Sequence, residues 1–486
     1  MQGLLADEVY IRVYISVLRY IAPALAGLIL WRVCKRQSGL GLLTLFQVAV
    51  VTGLGLSGKW VGEMFFCFGG LVAVQWALYF MKRGMDFWAE TGVYFLCTMG
   101  FCVVASVSPE QLPKQLGALT LGVLGYGFLR SGYRKWSADF AALLGVGLMV
   151  IPLIWGQERF GAKSWIEVGG FSFQPSELGK VCLVSYVANM LWEKRDRVVF
   201  GLVAAVMCIS PVLMNDLGTA AVYFAAVWMA VYVKSGIRRT LGISVAGIAG
   251  GLLGLRGHAV ARIRAWRHVW EYPRTLGYQQ TKALSCLAGG GLFGLGAGQG
   301  RLKAVFSADA DLVFATMAEE WGLIVAAISV VVLTVLVVQA IRKNESVEAS
   351  VAGSILLVQT ALNVLGTVDV LPMTGVTFPF VSNGGSSMVA TWGLLAFLLG
   401  ERRNTLAHHK EKRQSGGAVG GVVAGRDGLF CHGVYPIRRE LGHAWWQSSC
   451  VLGRWASWDH CKGSDRNGAC GVGASRGSEG GNALGR

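Results

Sequence analysis

An aspartate, Asp311, closes a long polar interval, and two adjacent glutamates, Glu319 and Glu320, follow it into an apolar run. A carboxylate at such a border can take a proton from a hydroxyl, or it can cap a helix expected to begin at Leu312. Capping would hold its pKa low and weaken it as a base, so the two readings compete. Glu319 and Glu320 lie roughly 12 to 14 Å further down that helix at 1.5 Å per residue. Two carboxylates at that depth do not both face lipid cheaply, so at least one should point into a polar interior.

The interval leading to Asp311 is basic, with Arg256, Arg262, Arg264, Arg267, Arg274, Lys282, Arg301 and Lys303. Such cations either meet anionic lipid headgroups or hold an anionic ligand, for which arginine offers bidentate contacts to phosphate. Trp266 and Trp270, at i, i+4 spacing, read as an interfacial pair rather than a sugar platform. The glycines from Gly289 to Gly300 contain G-x-G spacings, but no strand precedes them and no GK[ST] follows, so a nucleotide-binding reading fails.

Three further polar stretches interrupt apolar sequence. In Phe173–Lys180, Pro175 suits a first helical turn, Glu177 sits favourably near the helix N-terminus, and Lys180 is its partner three residues on. Ionisable groups carried into a membrane segment are by default functional. In Asn215–Thr219, Asp216 is a natural N-cap. Leu371–Ser387 carries two helix-breaking prolines, Pro372 and Pro379, and such backbone at membrane depth must be covered by protein or line a cavity. Its Gly384–Ser387 end is either a phosphate seat at a helix start or a small-residue surface for close helix packing.

The elements that must position these residues follow from composition. A chain of 486 residues that is 53% hydrophobic and 15% charged, with a mean hydropathy of +0.50, is a polytopic membrane protein and not a soluble domain. The expected class is an all-α membrane bundle. At roughly 20 apolar residues per crossing, about thirteen segments qualify. Val9–Val33 is interrupted by Arg12 and Arg19 and carries Pro23. Then come Leu40–Leu56, Trp60–Phe80, Phe87–Val107, Leu116–Leu129, Phe140–Trp155 and Pro175–Leu191. Val198–Leu213, Leu217–Val233, Leu241–Leu255, Leu312–Ile341, Val351–Leu371 and Ser386–Leu399 complete the series.

The net charge of +16 sits in short clusters between these runs, which is a topogenic pattern rather than a nucleic-acid footprint. Alternating clusters (Lys35-Arg36, Lys82-Arg83, Arg130 with Arg134-Lys135, Lys194-Arg195 with Arg197, Lys234 with Arg238-Arg239, Arg342-Lys343, Arg402-Arg403) put the C-terminus inside. They put Gly156–Gly170, Asn215-Asp216, the Arg262–Asp311 loop and Pro372–Gly385 together outside. The first helices serve as signal and anchor, with no cleavage site. The eleven cysteines show no CxxC pair; six of the seven before Ala288 lie within or beside apolar runs and read as small hydrophobes, and neither a disulfide framework nor a zinc site is expected. Residues 404–486 form a polar, glycine-rich tail expected to hold little stable structure.

Taken together these stretches resemble the shape, elongation, division and sporulation family of peptidoglycan polymerases, the FtsW/RodA/SpoVE proteins. The resemblance rests on Gly161–Ile166 with FSFQPSEL, NDLGTA, GYQ followed by GGGLFG, DLVF with the glutamate pair, and PFVSNGGSS, in family order over about Phe87–Arg403. It implies a core of ten membrane helices at 87–403 with a large extracytoplasmic loop at 256–311, preceded by about three extra segments in 1–86, in the bacterial plasma membrane. It implies polymerisation of lipid II with inversion at the anomeric carbon, during division or elongation; GYQ with GGGLFG leans toward the division branch.

Asp311 takes the position of the family's catalytic aspartate and would deprotonate the acceptor hydroxyl. Arg262, Arg264, Lys303 and a divalent cation such as Mg2+ are the implied stabilisers of the departing pyrophosphate. The remaining substrate-binding positions carried over are Lys163, Trp165, Gln174, Glu177, Lys180, Asp216, Tyr278, Gln279, Glu320, Pro379, Ser382, Gly384, Gly385 and Ser386. A class B penicillin-binding transpeptidase and other divisome or elongasome proteins are the implied partners.

The chain departs from the family where PEAHTD reads Phe306–Asp311, where QS reads Lys282-Ala283, where a glycine is Asp369, and where a tyrosine is Asn383. Asp309 thereby becomes a second candidate base. The intramembrane acids keep a precursor flippase open as an alternative, and the altered surroundings of Asp311 keep a non-catalytic scaffold open.

Overall fold

A computed structural model describes residues 2–57, 61–82, 86–132, 137–159, 161–169, 171–190, 194–253 and 257–400. All belong to the unit Met1–Thr405. The tail and the Arg402-Arg403 cluster lie outside the described residues.

Every apolar segment expected to span is a helix. In order these are α1 (Gln2–Cys34), α2 (Leu40–Leu56), α3 (Val61–Met81), α4 (Trp88–Val107), α5 (Leu112–Gly132), α6 (Ala138–Trp155), α7 (Pro175–Asn189), α8 (Lys194–Leu213), α9 (Leu217–Ser235) and α10 (Ile237–Leu253). After the long loop, with its own α11 (Gly257–Ala265) and α12 (Tyr278–Gly290), come α13 (Val313–Asn344), α14 (Val347–Thr367) and α15 (Gly385–Leu398). Among the described residues seven helices are long and apolar enough to cross a membrane. Helices satisfy their backbone groups internally, which is what a lipid environment demands. The protein is a multi-pass membrane protein.

The centre is α4, buried at every position from Trp88 to Val104; a helix apolar on all sides belongs inside a bundle. Beside it α15 packs on α5 and α7, while α9 packs on α14. Trp392 of α15 is fully buried, with ring centroids of Tyr94, Tyr126 and Phe380 at 5.3, 5.7 and 6.0 Å. Gln47 of α2 donates to Gln75 of α3 (2.8 Å) and to Thr98 of α4 (3.0 Å), pairing buried polar groups across three helices, while Gln47 Oε1 and Gln75 Nε2 are left without a partner among the described residues.

The bundle is mostly helical, as expected, with one small antiparallel sheet in the α6–α7 connection: β1 (Gln157–Arg159), β2 (Ala162–Val168) and β3 (Phe171–Phe173), in register Gln157↔Trp165 and Ile166↔Phe173. Alternating side chains between two turns suit strands, not a helix. Three expectations are corrected. The long loop is partly helical, through α11 and α12. Trp266 and Trp270 do not share a helical face, since α11 ends at Ala265; Trp266 meets Arg267 (5.3 Å to the ring centroid) while Trp270 is exposed. Finally, α13 starts at Val313, one residue later than expected, and breaks at Gly322 (φ 89°, ψ 157°).

Candidate functional site

The connections after α6, α8, α10 and α14 meet at one end of the bundle around a cavity of about 350 Å3. Three helices begin on its wall: α7 behind Gln174, α9 behind Asp216, and α15 behind Gly384. Gln174 ties them together, donating its backbone N–H to Ser386 Oγ (3.4 Å) and its Nε2 to Asp216 Oδ2 (3.0 Å). Asp216 caps α9 as expected, accepting from Thr219 N (2.9 Å) and Thr219 Oγ1 (2.8 Å). Burial pushes its carboxyl above the usual range. The start of α15 has no side-chain cap, so its first N–H groups and positive dipole end favour an anion there. Trp165 from β2 and Arg262 from α11 complete the wall.

Asp311 lies on the same wall, part-exposed to the cavity. It does not cap α13, whose N-cap is Leu312 with no side-chain bond. The expectation of a pKa held low by capping is therefore overturned. Burial instead pushes the carboxyl up to about 6; Arg262 draws it down, and Asp216 and Asp309 push it up. Its backbone is held from three sides. Asn363 Nδ2 donates to the Asp311 carbonyl (3.0 Å) and to that of Val376 (2.9 Å), Ser382 Oγ to the Ala310 carbonyl (2.6 Å), and Thr316 Oγ1 to the Ala308 carbonyl (2.6 Å). A side chain at Gly375 would come within 3.5 Å of Asp311 Oδ2 and 3.8 Å of Arg262 Nη1, so carboxylate and guanidinium face the same point.

Asp309, the second candidate base, does not line the cavity. Its Oδ2 accepts from Ser108 Oγ and from Asn383 Nδ2 (2.7 Å), and its carbonyl accepts from Asn383 N (2.8 Å). Two departures from the family pattern are thus bonded to each other. Asp369 has the left-handed φ of 60° that aspartate tolerates better than most residues. If Asp311 and not Asp309 is the base, Asp309→Asn removes only a strut's charge, and polymerisation should stay within about tenfold of the parent. A larger loss in an assay with purified lipid II would move the base to position 309.

Glu319 and Glu320 do point into a polar interior, but what they bind is backbone. Glu320 accepts from Gly298 N (3.1 Å), Gly300 N (3.2 Å) and Ser106 Oγ, while Glu319 accepts from Arg301 N and Leu302 N (both 2.9 Å). The glycine interval is a loop clasped by these carboxylates at the break in α13. Lys303 is exposed, with its Nζ on the Gly298 carbonyl (3.1 Å).

Of the other expected site residues, Trp165, Gln174, Asp216, Arg262, Gly384 and Ser386 meet around Asp311. Arg264 is exposed elsewhere on α11, Lys163 Nζ bonds the Leu153 carbonyl (3.0 Å), and exposed Tyr278 lies under Lys282 (6.0 Å). Gln279 Nε2 holds the Phe306 carbonyl (3.1 Å), and Glu177 and Lys180 form a buried ion pair (2.7 Å) inside α7. Pro379 is buried and Gly385 is the first residue of α15, neither on the cavity wall.

Asn363 escaped sequence reasoning. The signal was present: Gln359, Asn363 and Thr367 repeat every four residues along α14, a polar stripe in an apolar run, and all three are buried. A protein-held divalent cation does not fit the donors. Among the described residues no group of three or more His, Cys, Asp or Glu could hold a metal ion, and the Asp216 carboxylate already serves Thr219 and Gln174.

Residues 74–405 match the FtsW/RodA/SpoVE cell cycle protein family, which leaves α1, α2 and most of α3 outside the match. The chain is 29% identical over 321 residues to stage V sporulation protein E of Bacillus subtilis, covering 60% of this chain and 86% of that one. It is 31% identical over 344 residues to a protein named "Probable peptidoglycan glycosyltransferase FtsW" of Pseudoalteromonas translucida, covering 60% and 83%. Those names divide between branches and do not single out division. Among solved structures, a chain of a peptidoglycan synthase complex that coordinates polymerization and crosslinking superposes with a TM-score of 0.54 at 24% identity, over 65% of this chain and 96% of that one. That likeness speaks for the fold.

Proposed function

We infer that this chain, which belongs to the FtsW/RodA/SpoVE family of cell cycle proteins, is a peptidoglycan glycosyltransferase whose acceptor hydroxyl is deprotonated by Asp311. The observation that carries the assignment of Asp311 is its setting: a part-buried carboxylate with a raised pKa, beside an arginine and at the convergence of three helix N-termini. The donor is lipid II. Asp311 takes the proton of the acceptor sugar hydroxyl as that oxygen bonds to the anomeric carbon from the face opposite the leaving group. The bond from that carbon to the pyrophosphate oxygen breaks with inversion, and its electron pair leaves with the lipid pyrophosphate.

Arg262 and the open N-terminus of α15 are placed to stabilise that anion. A pKa near 6 suits a base at neutral pH, since it is mostly ionised yet more basic than an ordinary aspartate. The cavity end of the bundle is the outer face of the bacterial plasma membrane on this reading, with a class B transpeptidase as partner.

Purified protein given lipid II should form glycan polymer at a rate that rises as pH passes about 6, because only the ionised carboxylate accepts a proton. Arg262→Gln should move that limb to higher pH, since the guanidinium holds the Asp311 carboxyl down. It should also lower the plateau roughly 10- to 100-fold through loss of a charge-assisted contact. An acid limb that stays in place in Arg262→Gln, or that lies near pH 4 in the parent, refutes this pairing.

A further inference from the structure

Helix α1 precedes the family match, yet it packs along α13 and is tied to it at its C-terminal end. At one end Arg36, just past α1, donates to Gln339 Oε1 (3.3 Å) and to the Gln339 carbonyl (3.1 Å), and Gln339 Nε2 donates back to the Cys34 carbonyl (2.9 Å). Near its middle α1 reaches the glycine loop that Glu319 and Glu320 clasp. A Cβ on Gly296 would stand 2.6 Å from Ile15 Cγ2, and the Tyr20 and Phe293 ring centroids are 5.1 Å apart.

Arg19 lies between these contacts and packs beside Glu320 and Trp321, with no room for a water between them. Its Nε and Trp321 Nε1 are buried donors with no hydrogen-bond partner among the described residues. An arginine in a membrane span is costly unless it faces a polar interior, and this one faces the clasp. Along the intervening length Ala22, Ala26, Ile29 and Val33 are buried. A simple anchor would need none of these contacts on the glycine loop.

We propose that α1 is a resident clamp of the polymerase: through Ile15, Arg19 and Tyr20 it holds the glycine loop 291–300 against α13 and thereby positions the segment that carries Lys303 and Asp311. The route is covalent and short. The loop leads into Arg301 and Leu302, whose N–H groups Glu319 holds. Leu302, Val305, Ala308 and Leu312 then pack as one small core beneath Asp311. Loosening the loop lets that core shift as a body. A displacement of about 1 Å remote from the chemistry can cost on the order of 100-fold in rate.

The inference rests on the glycosyltransferase reading for its effect on rate, but not for its effect on the loop. The test compares the full-length protein with Ile15→Ala/Tyr20→Ala and, as the conservative control, Ile15→Val, which keeps the Cγ2 methyl. Amide hydrogen exchange of residues 291–303 should accelerate about tenfold or more in the double variant, consistent with a local opening. Polymerisation kcat should fall about 10- to 100-fold with KM for lipid II little changed, whereas Ile15→Val should leave both exchange and kcat near the parent's values. Unchanged exchange and unchanged kcat in a well-inserted double variant would reduce α1 to an anchor and overturn the proposal. Accelerated exchange in a protein whose parent makes no polymer would uphold the clamp and reject the glycosyltransferase reading instead.

Discussion

The Asp311→Asn protein is expected to polymerise lipid II about 10²- to 10⁴-fold more slowly than the parent, the range for removal of a positioned acid-base group. It should not be less stable. Asp311 makes no cap bond, and Asn363 holds its backbone carbonyl whatever the side chain. The charge works against the fold at neutral pH. With a folded pKa of about 6 above an unfolded value near 3.9, the stability this carboxyl contributes is present below about pH 4 and is lost as pH rises through 6. An uncharged amide escapes that loss. Melting of Asp311→Asn should therefore equal or exceed that of the parent at pH 7.5, with the difference closing toward pH 4. Near-normal polymer from this variant, or a clear drop in melting temperature at pH 7.5, would remove Asp311 from the role of base.

Gly322→Ala should be strongly disruptive for the addition of a single methyl group. Gly322 sits at φ 89°, ψ 157°, a region that side chains enter only at a cost of about 1 to 3 kcal/mol. The added Cβ would also fall 2.3 Å from the Leu292 carbonyl oxygen and 2.6 Å from the Phe293 backbone, where no flexible neighbour can give way. At this break the glycine loop is stitched to α13 by Leu323 N on the Gly291 carbonyl (3.0 Å), Leu295 N on the Glu319 carbonyl (2.8 Å) and Gly296 N on the Glu320 carbonyl (3.0 Å). Parting the two segments strands those groups at roughly 1 to 3 kcal/mol each. Loss of folded protein, or a polymerisation rate down by more than about 100-fold, is the expected result.

Gly289→Ala is the control from the same glycine-rich stretch. Gly289 lies inside α12 with nothing within 4 Å of an added Cβ, so alanine should be neutral or stabilising by up to about 1 kcal/mol. Equal behaviour of the two variants would show that the loop does not cross α13 as described.

Much of the architecture was legible in the order of residues. Apolar runs of membrane length had to be helices, because lipid leaves a backbone group no other partner, and each of those runs is a helix. Asp216 is a cap because an aspartate before an apolar run meets only local N–H groups, and local geometry follows from local sequence. That Asp311 would stand near Arg262, Asp216 and Gly384 was readable as a gathering of polar segments at one end of the bundle.

What each carboxylate does there was decided by the tertiary structure. Asp309 and Asp311 are two residues apart and chemically identical, yet Ser108 and Asn383 bind the first while the second faces a cavity. Glu319 and Glu320 looked like candidates for chemistry until residues 298–302 folded back to place four N–H groups on them. Arg19, which made the first span look poor, is a cost only in lipid, and the packing of α1 on α13 sets it against the glycine loop instead. A carboxylate or guanidinium carries the same charge wherever it stands. Its pKa and role depend on the dipoles within a few ångströms, and here those come from segments distant in the chain that only the fold brings together.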